Sequence, residues 1–170
     1  MIKKITASFL LLGLAIHTPA ATAASGGMNA AFSKGATNIG IMAGTGSSLD
    51  GNYTILGIGV GYYILQGLEI GIDAQHWFSS STSITKISPQ IRYVFTQAKA
   101  VKPYLGAFYR RTLIDSDTSL DRSSYGYRAG VYTSMRNRTY IGGGIVYERY
   151  SDCQTDCTDT YPEVLFAIRF

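Results

Sequence analysis

Three groups of side chains in this sequence carry reactive or charged chemistry. The first is Cys153 and Cys157, four residues apart in the segment Ser151–Thr160 and set among Asp152, Asp156 and Asp159. In an exported chain, two thiols this close predict a disulfide. It would close a very small ring and stiffen a loop tip rather than hold up a fold. The rival chemistry is metal binding, because acidic oxygens suit a hard cation such as calcium. The spacing is not that of an EF-hand loop, and zinc would want more soft ligands. A loose attraction of divalent cations to an acidic rim fits the pattern better, so no metal ligand is assigned.

The second group is centred on His76. His17 lies in a leader segment, which leaves His76 as the one histidine of the mature chain. A serine nucleophile needs a positioned base, most often histidine. Ser79, Ser80, Ser81 and Asp115 are the available partners for a lipid-modifying hydrolase. No paired His–x–Ser and no loop His/Asp/Ser arrangement is present, and Trp77 and Phe78 follow at once. His76 therefore reads as part of an aromatic girdle, and neither a catalytic residue nor a cofactor is assigned. The third group is ionic: Glu69, Asp73, Glu148 and Glu163 against Lys86, Arg92, Arg110, Arg128 and Arg169. Four acids against five bases is close to balance. Such near-balance is what a tight interior requires, since an unpaired buried charge is costly.

Period-2 strands position these groups. Pro162, Val164, Phe166, Ile168 and Phe170 alternate with Glu163, Leu165, Ala167 and Arg169 at the carboxy-terminus. Alternation of this kind makes one apolar and one mostly polar face. Eight such segments are predicted, at about Thr37–Gly46, Tyr53–Ile64, Leu68–Ser79, Ser83–Phe95, Pro103–Ile114, Ser124–Ser134, Thr139–Tyr150 and Tyr161–Phe170. Most reach the roughly 9–11 residues a tilted strand needs to cross a bilayer. In the third, Leu68, Ile70, Ile72 and Ala74 oppose Glu69, Gly71, Asp73 and Gln75. In the fourth, Ile87, Pro89, Ile91, Tyr93 and Phe95 oppose Lys86, Ser88, Gln90 and Arg92. In the second, Leu56, Ile58, Val60 and Tyr62 oppose three glycines. The pairs Arg110-Arg111 and Glu148-Arg149 put one charge on each face, with Arg111 and Arg149 expected near lipid headgroups.

The amino-terminus sets the compartment. Lys3 and Lys4 precede an apolar run from Ile5 to Ile16, and Ala21-Thr22-Ala23 offers small residues for cleavage. This is a secretory signal pattern, and it divides the chain into a signal peptide (1–23), a lead-in (24–36) and a barrel (37–170). The run is shorter than the roughly 20 residues of a spanning helix. Charged residues are 15% of the chain, against about 25% in ordinary soluble domains. The net charge of +4 falls to +2 once Lys3 and Lys4 leave, and no basic cluster remains. Nucleic acid is therefore not an expected partner.

Alternation alone does not say which face is inside, since a soluble barrel shows it too. Three observations favour lipid outside. Gly40, Gly44, Gly57, Gly59, Gly61, Gly142 and Gly144 crowd the non-apolar face, as the inside of a narrow barrel demands. Aromatics gather near strand ends, as in interfacial girdles. Tyr62, Tyr93, Phe95, Tyr104, Tyr140 and Phe170 are assigned to one rim. Trp77, Phe78, Tyr125, Tyr147, Tyr150 and Tyr161 are assigned to the other. Acidic connections (Asp50, Asp115, Asp117, Asp121, Asp152, Asp156, Asp159) alternate with basic ones (Lys99, Lys102, Arg136, Arg138).

From Thr37 to Phe170 the chain resembles the small eight-stranded outer-membrane barrels of the OmpA-transmembrane, OmpX and opacity-protein type. The residues that carry the resemblance are the signal segment, the alternating strands and the end Val164-x-Phe166-x-Ile168-x-Phe170. That end resembles the signal read by the barrel-assembly machinery, with Ile168 where many members have an aromatic. The resemblance implies an all-β, antiparallel up-and-down transmembrane barrel after a cleavable signal. It also implies transit with periplasmic chaperones and residence in the bacterial outer membrane among its lipids and lipopolysaccharide, as a monomer. Eight strands enclose room for side chains or one small ligand only, so a plugged, non-enzymatic structural and surface-interaction protein is expected. A narrow channel or small-solute route is the first alternative, and a lipid-modifying enzyme the second.

Overall fold

The computed structural model describes residues 28–48, 51–79, 84–114, 121–136, 138–151 and 157–170. The signal segment 1–23 lies outside them. So do Cys153, Ser80, Ser81, Asp50, Asp115, Asp117, Asp152 and Asp156. The eight strands are β1 (Thr37–Ser48), β2 (Gly51–Leu65), β3 (Leu68–Phe78), β4 (Ile84–Val94), β5 (Lys102–Ile114), β6 (Asp121–Arg136), β7 (Thr139–Tyr150) and β8 (Thr158–Arg169). Each pairs antiparallel with the next, and β8 closes on β1 through a register running from Asn38↔Arg169 to Gly44↔Glu163. Closure leaves no unpaired edge, a requirement of any sheet that meets lipid.

Parity decides which way each side chain points. Ile58 is 65% exposed and Ile145 60%, whereas Lys86, Arg110 and Glu148 are all 0%. The predicted faces of β2, β3 and β4 are those observed: Leu56, Ile58 and Val60 lie outside, and Glu69, Asp73, Lys86 and Arg92 inside. A soluble protein sorts these residue types the other way. Placing Lys at position 58, one of the most exposed apolar sites, is expected to lower barrel stability by about 2–4 kcal/mol if the site lies near the bilayer midplane. Guanidinium unfolding of vesicle-inserted barrel would read the loss.

The inside is filled at both ends. One apolar cluster joins Phe32, Tyr63, Val94, Tyr104, Tyr132, Tyr140 and Leu165 near the chain termini. The other joins Tyr53, Ile55, Trp77, Ile84, Phe108, Val146 and Tyr161 at the far end. Glycine makes room for these rings. A Cβ on Gly142 would run into the Tyr132 ring, and one on Gly144 into the Tyr104 hydroxyl. Gly67 (φ +77°) turns the chain from β2 to β3. Its N–H donates to the Phe32 carbonyl at 2.8 Å, and its carbonyl accepts from the Val94 N–H at 2.8 Å.

Part of the 24–36 lead-in is therefore structural. Met28–Phe32 forms a short 3-10 turn. Phe32 is fully buried and packs its ring against Tyr63, Tyr132 and Tyr140, with centroids 5.1–5.8 Å away. The Gly35 N–H donates to the Tyr63 carbonyl at 2.8 Å and the Tyr63 N–H to the Ala36 carbonyl at 2.9 Å, which ties the segment to β2.

Candidate functional site

The candidate site is the ionic interior. Inward parity brings Lys86 and Arg92 from β4, Arg110 from β5, Arg128 from β6, Glu148 from β7, Glu163 from β8, and Glu69 and Asp73 from β3. Glu148 is the hub. Its Oε2 lies 2.7 Å from Arg110 Nη1 and 3.3 Å from Lys86 Nζ. Ser124 Oγ donates to its Oε1 at 2.6 Å and Tyr161 OH to its Oε2 at 3.2 Å. Lys86 also donates to Tyr150 OH at 3.0 Å and sits 3.6 Å above the centre of the Trp77 ring, a cation–π contact.

The pairing continues across the lumen. Arg110 Nη2 lies 4.0 Å from Asp73 Oδ1, and Arg110 Nε donates to Ser88 Oγ at 2.7 Å. Arg128 bridges Asp73 at 3.2 Å and Glu163 at 3.4 Å. Tyr104 OH donates to Glu163 Oε1 at 3.0 Å. Separately, Arg92 Nη1 lies 3.8 Å from Glu69 Oε1, and Asn38 Nδ2 donates to Glu69 Oε2 at 3.0 Å. The run Lys86–Glu148–Arg110–Asp73–Arg128–Glu163 thus ties six strands together. Low dielectric strengthens each contact, and mutual pairing offsets the desolvation of eight buried ionic groups.

The sequence brought eight of its nine network residues to this place. Arg169 is the exception. It has inward parity, but it is the last residue of β8, is half-exposed, and joins no ion pair with the other described residues. Without it the described network holds four acids and four bases. The expected aromatic girdles also need correction. Trp77, Tyr104, Tyr140 and Tyr161 are buried inside the barrel, and Tyr150 turns its hydroxyl inward to Lys86 and Asp159. Level along a strand does not fix the face; Trp77 shares the parity of Asp73 and so points inward. Tyr62, Tyr93, Phe95, Phe78, Tyr125, Tyr147 and Phe170 do face outward. Lys102, which the sequence predicts in a basic connection, needs the same correction. It opens β5 with its side chain buried, and its Nζ donates to the Thr96 carbonyl at 2.6 Å and to the Ala98 carbonyl.

His76 Nδ1 is 3.1 Å from Thr85 Oγ1, and its ring meets Phe78 edge-on. Among the described residues no carboxylate pairs with it. Cys157 is half-exposed, and its carbonyl accepts from the Tyr150 N–H at 2.9 Å. Its expected partner Cys153 lies outside the described residues. Among the described residues no three His, Cys, Asp or Glu side chains gather as metal ligands. Val164, Phe166, Ile168 and Phe170 point outward, with Ile168 on β8 opposite Ile39 of β1.

No known protein-family model matches the chain, and no curated protein matches it in sequence. Solved structures do. The N-terminal β-barrel domain of Pseudomonas aeruginosa OprF superposes with a TM-score of 0.66 at 13% identity, covering 81% of this chain and 98% of that domain. The fold is that of the small eight-stranded outer-membrane barrels. Neisserial surface protein A (NspA) shares it with a TM-score of 0.61 at 19% identity, over 79% of this chain and 96% of that one. Ail, the attachment invasion locus protein of Yersinia pestis, shares it with a TM-score of 0.52 at 20% identity, over 81% and 99%. At these identities the likeness is one of fold. An apolar exterior around an ionic interior is what a lipid-embedded barrel must have. Fold and surface together are those of a lipid-embedded barrel of the outer-membrane type.

Proposed function

We propose that this barrel is a non-enzymatic envelope protein, a sealed wall element that offers its outer connections, residues 115–120 between β5 and β6 and residues 151–157 between β7 and β8, to surface partners. The observation that carries this reading is the filled interior. Phe32 and four tyrosines occupy one end, Trp77, Phe108 and Tyr161 the other, and ion pairs cross between them. Such an interior suits mechanical integrity better than conduction. A Cys153–Cys157 disulfide would stiffen the second connection. The outward Val164, Phe166, Ile168 and Phe170 are the residues offered to the assembly machinery, after passage with periplasmic chaperones, and the barrel works as a monomer among outer-membrane lipids and lipopolysaccharide.

Planar-bilayer recording tests the sealed interior. Purified barrel is expected to leave the baseline without discrete steps, and steady openings of defined size would defeat the reading. Deleting residues 152–156 should diminish binding to any surface partner found. Undiminished binding would remove the second connection from the proposal.

A further inference from the structure

Charge is sorted along the barrel axis. Every aspartate except Asp73 lies at or next to the strand ends remote from the termini, or in the connections beyond them. The opposite end carries cations. Lys34 precedes β1, Lys99 lies between β4 and β5, Arg138 lies between β6 and β7, and Arg169 is the last residue of β8. Lys34, Lys99 and Arg138 are exposed and Arg169 is half-exposed. None of the four forms an ion pair with the other described residues. The side-chain carboxylate nearest that end, Glu69, is buried in the lumen and engaged by Asn38 and Arg92.

The backbone gathers these cations on one face. The Arg169 N–H donates to the Arg138 carbonyl at 2.9 Å. The Phe170 N–H donates to the Thr37 carbonyl at 2.9 Å, three residues after Lys34. Lys102 Nζ, held by the Thr96 and Ala98 carbonyls, braces the connection that carries Lys99. Strands two apart in the sheet are about 10 Å from each other, so the cations ring the plugged mouth rather than converge on one point. They stand apart from the lipid-facing belt. At this end Tyr62, Tyr93, Phe95 and Phe170 face outward, whereas Arg169 has inward parity and Lys34 lies on the segment that Phe32 anchors in the mouth.

We propose that this basic face docks an anionic cell-wall polymer, one whose charges are carboxylates spaced along a hydrophilic chain. Lysine and arginine both give charge-assisted hydrogen bonds to carboxylates. Cations about 10 Å apart match charges spread along a polymer better than one small anion. A folded protein partner would need an apolar centre to its interface, and here Phe32 and its tyrosines are already buried by the chain itself. Lipid phosphates would meet the outward belt, which at this end is aromatic. The polymer would hold the barrel by its inner end. The inference deepens the envelope reading above and rests on it, since residues 115–120 and 151–157 must be the outer connections. It does not depend on a sealed interior.

Folded barrel in uncharged detergent micelles, co-sedimented with purified peptidoglycan sacculi, tests it. The unaltered chain should pellet at low salt and be released as salt rises. K34Q/R138Q should weaken binding about tenfold, and adding R169Q should weaken it further. R111Q/R149Q removes the same charge from the other end and should bind like the unaltered chain. Sacculi whose carboxylates have been amidated should no longer hold the barrel. Heat-modifiable gel migration shows that each variant is folded, and its loss from the unaltered chain would overturn the membrane reading on which the proposal rests. If K34Q/R138Q does not fold, K34Q/K99Q decides. The proposal is overturned if the unaltered barrel stays in the supernatant, if the deciding variant pellets like it, or if R111Q/R149Q loses as much binding. It is also overturned if amidated sacculi retain the barrel, or if polyglutamate or phosphatidylglycerol vesicles bind it more tightly than sacculi, which would point to a protein or lipid partner.

Discussion

Replacing Glu148 with Ala is expected to lower the stability of the folded barrel by about 3–5 kcal/mol, because it leaves buried positive charge without its counter-ion. Lys86 and Arg110 share this one carboxylate, at 3.3 and 2.7 Å, and all three side chains are fully buried. Ser124 and Tyr161 lose their acceptor as well. Arg110 retains Asp73 at 4.0 Å, whereas among the described residues Lys86 keeps the Tyr150 hydroxyl and the Trp77 ring face, neither of them a counter-ion. E148A should therefore show a lower guanidinium midpoint, with a smaller shift for E148Q, which preserves volume. Adding K86M to E148Q should recover part of the loss, since it removes the stranded charge. A double-mutant cycle on Lys86 and Glu148 isolates the coupling, and additive effects would show that the two do not act as a pair.

Phe32→Ala is expected to cost about 3–5 kcal/mol, the usual range for emptying a buried aromatic site. The ring has three tyrosines around it within 5.8 Å. It also lies in the segment whose backbone accepts from Gly67, so its loss should free the lead-in from the barrel mouth. Limited proteolysis ought to cut F32A near residues 28–36 while sparing the unaltered chain. Conductance should stay at baseline, because the Glu148 hub and the Trp77 cluster still fill the other end. A variant that is destabilised and also conducts would make Phe32 the sole seal and refute the second layer.

How far these features could be read in advance depended on whether they were local. Strand number, the order of the elements and the faces of β2, β3 and β4 follow from alternation, which is a property of adjacent residues. The burial of Glu69, Asp73, Lys86 and Arg92 came from parity alone. Trp77, Tyr104, Tyr140 and Tyr161 were misplaced because an aromatic near a strand end suits either a girdle or a lumen plug, and only consistent counting from Asp73 or Glu163 separates the two. Which acid meets which base was not legible. Glu148 and Lys86 are 62 residues apart, and the stagger of intervening strands sets their level. Phe32 gave no periodic signal, since its segment is a short turn whose partners lie on β2, β6 and β7.

The most direct test of lipid outside and charge inside uses the chain's single tryptophan. Trp77 is fully buried in the lumen, whereas Ile58 is 65% exposed on the opposite parity. In vesicles of bromine-labelled phospholipid, the unaltered barrel should keep its Trp77 fluorescence, and a W77F/I58W variant should be strongly quenched. Quenching of Trp77 with a bright W77F/I58W barrel would mean that the apolar faces turn away from lipid, and the account would be wrong.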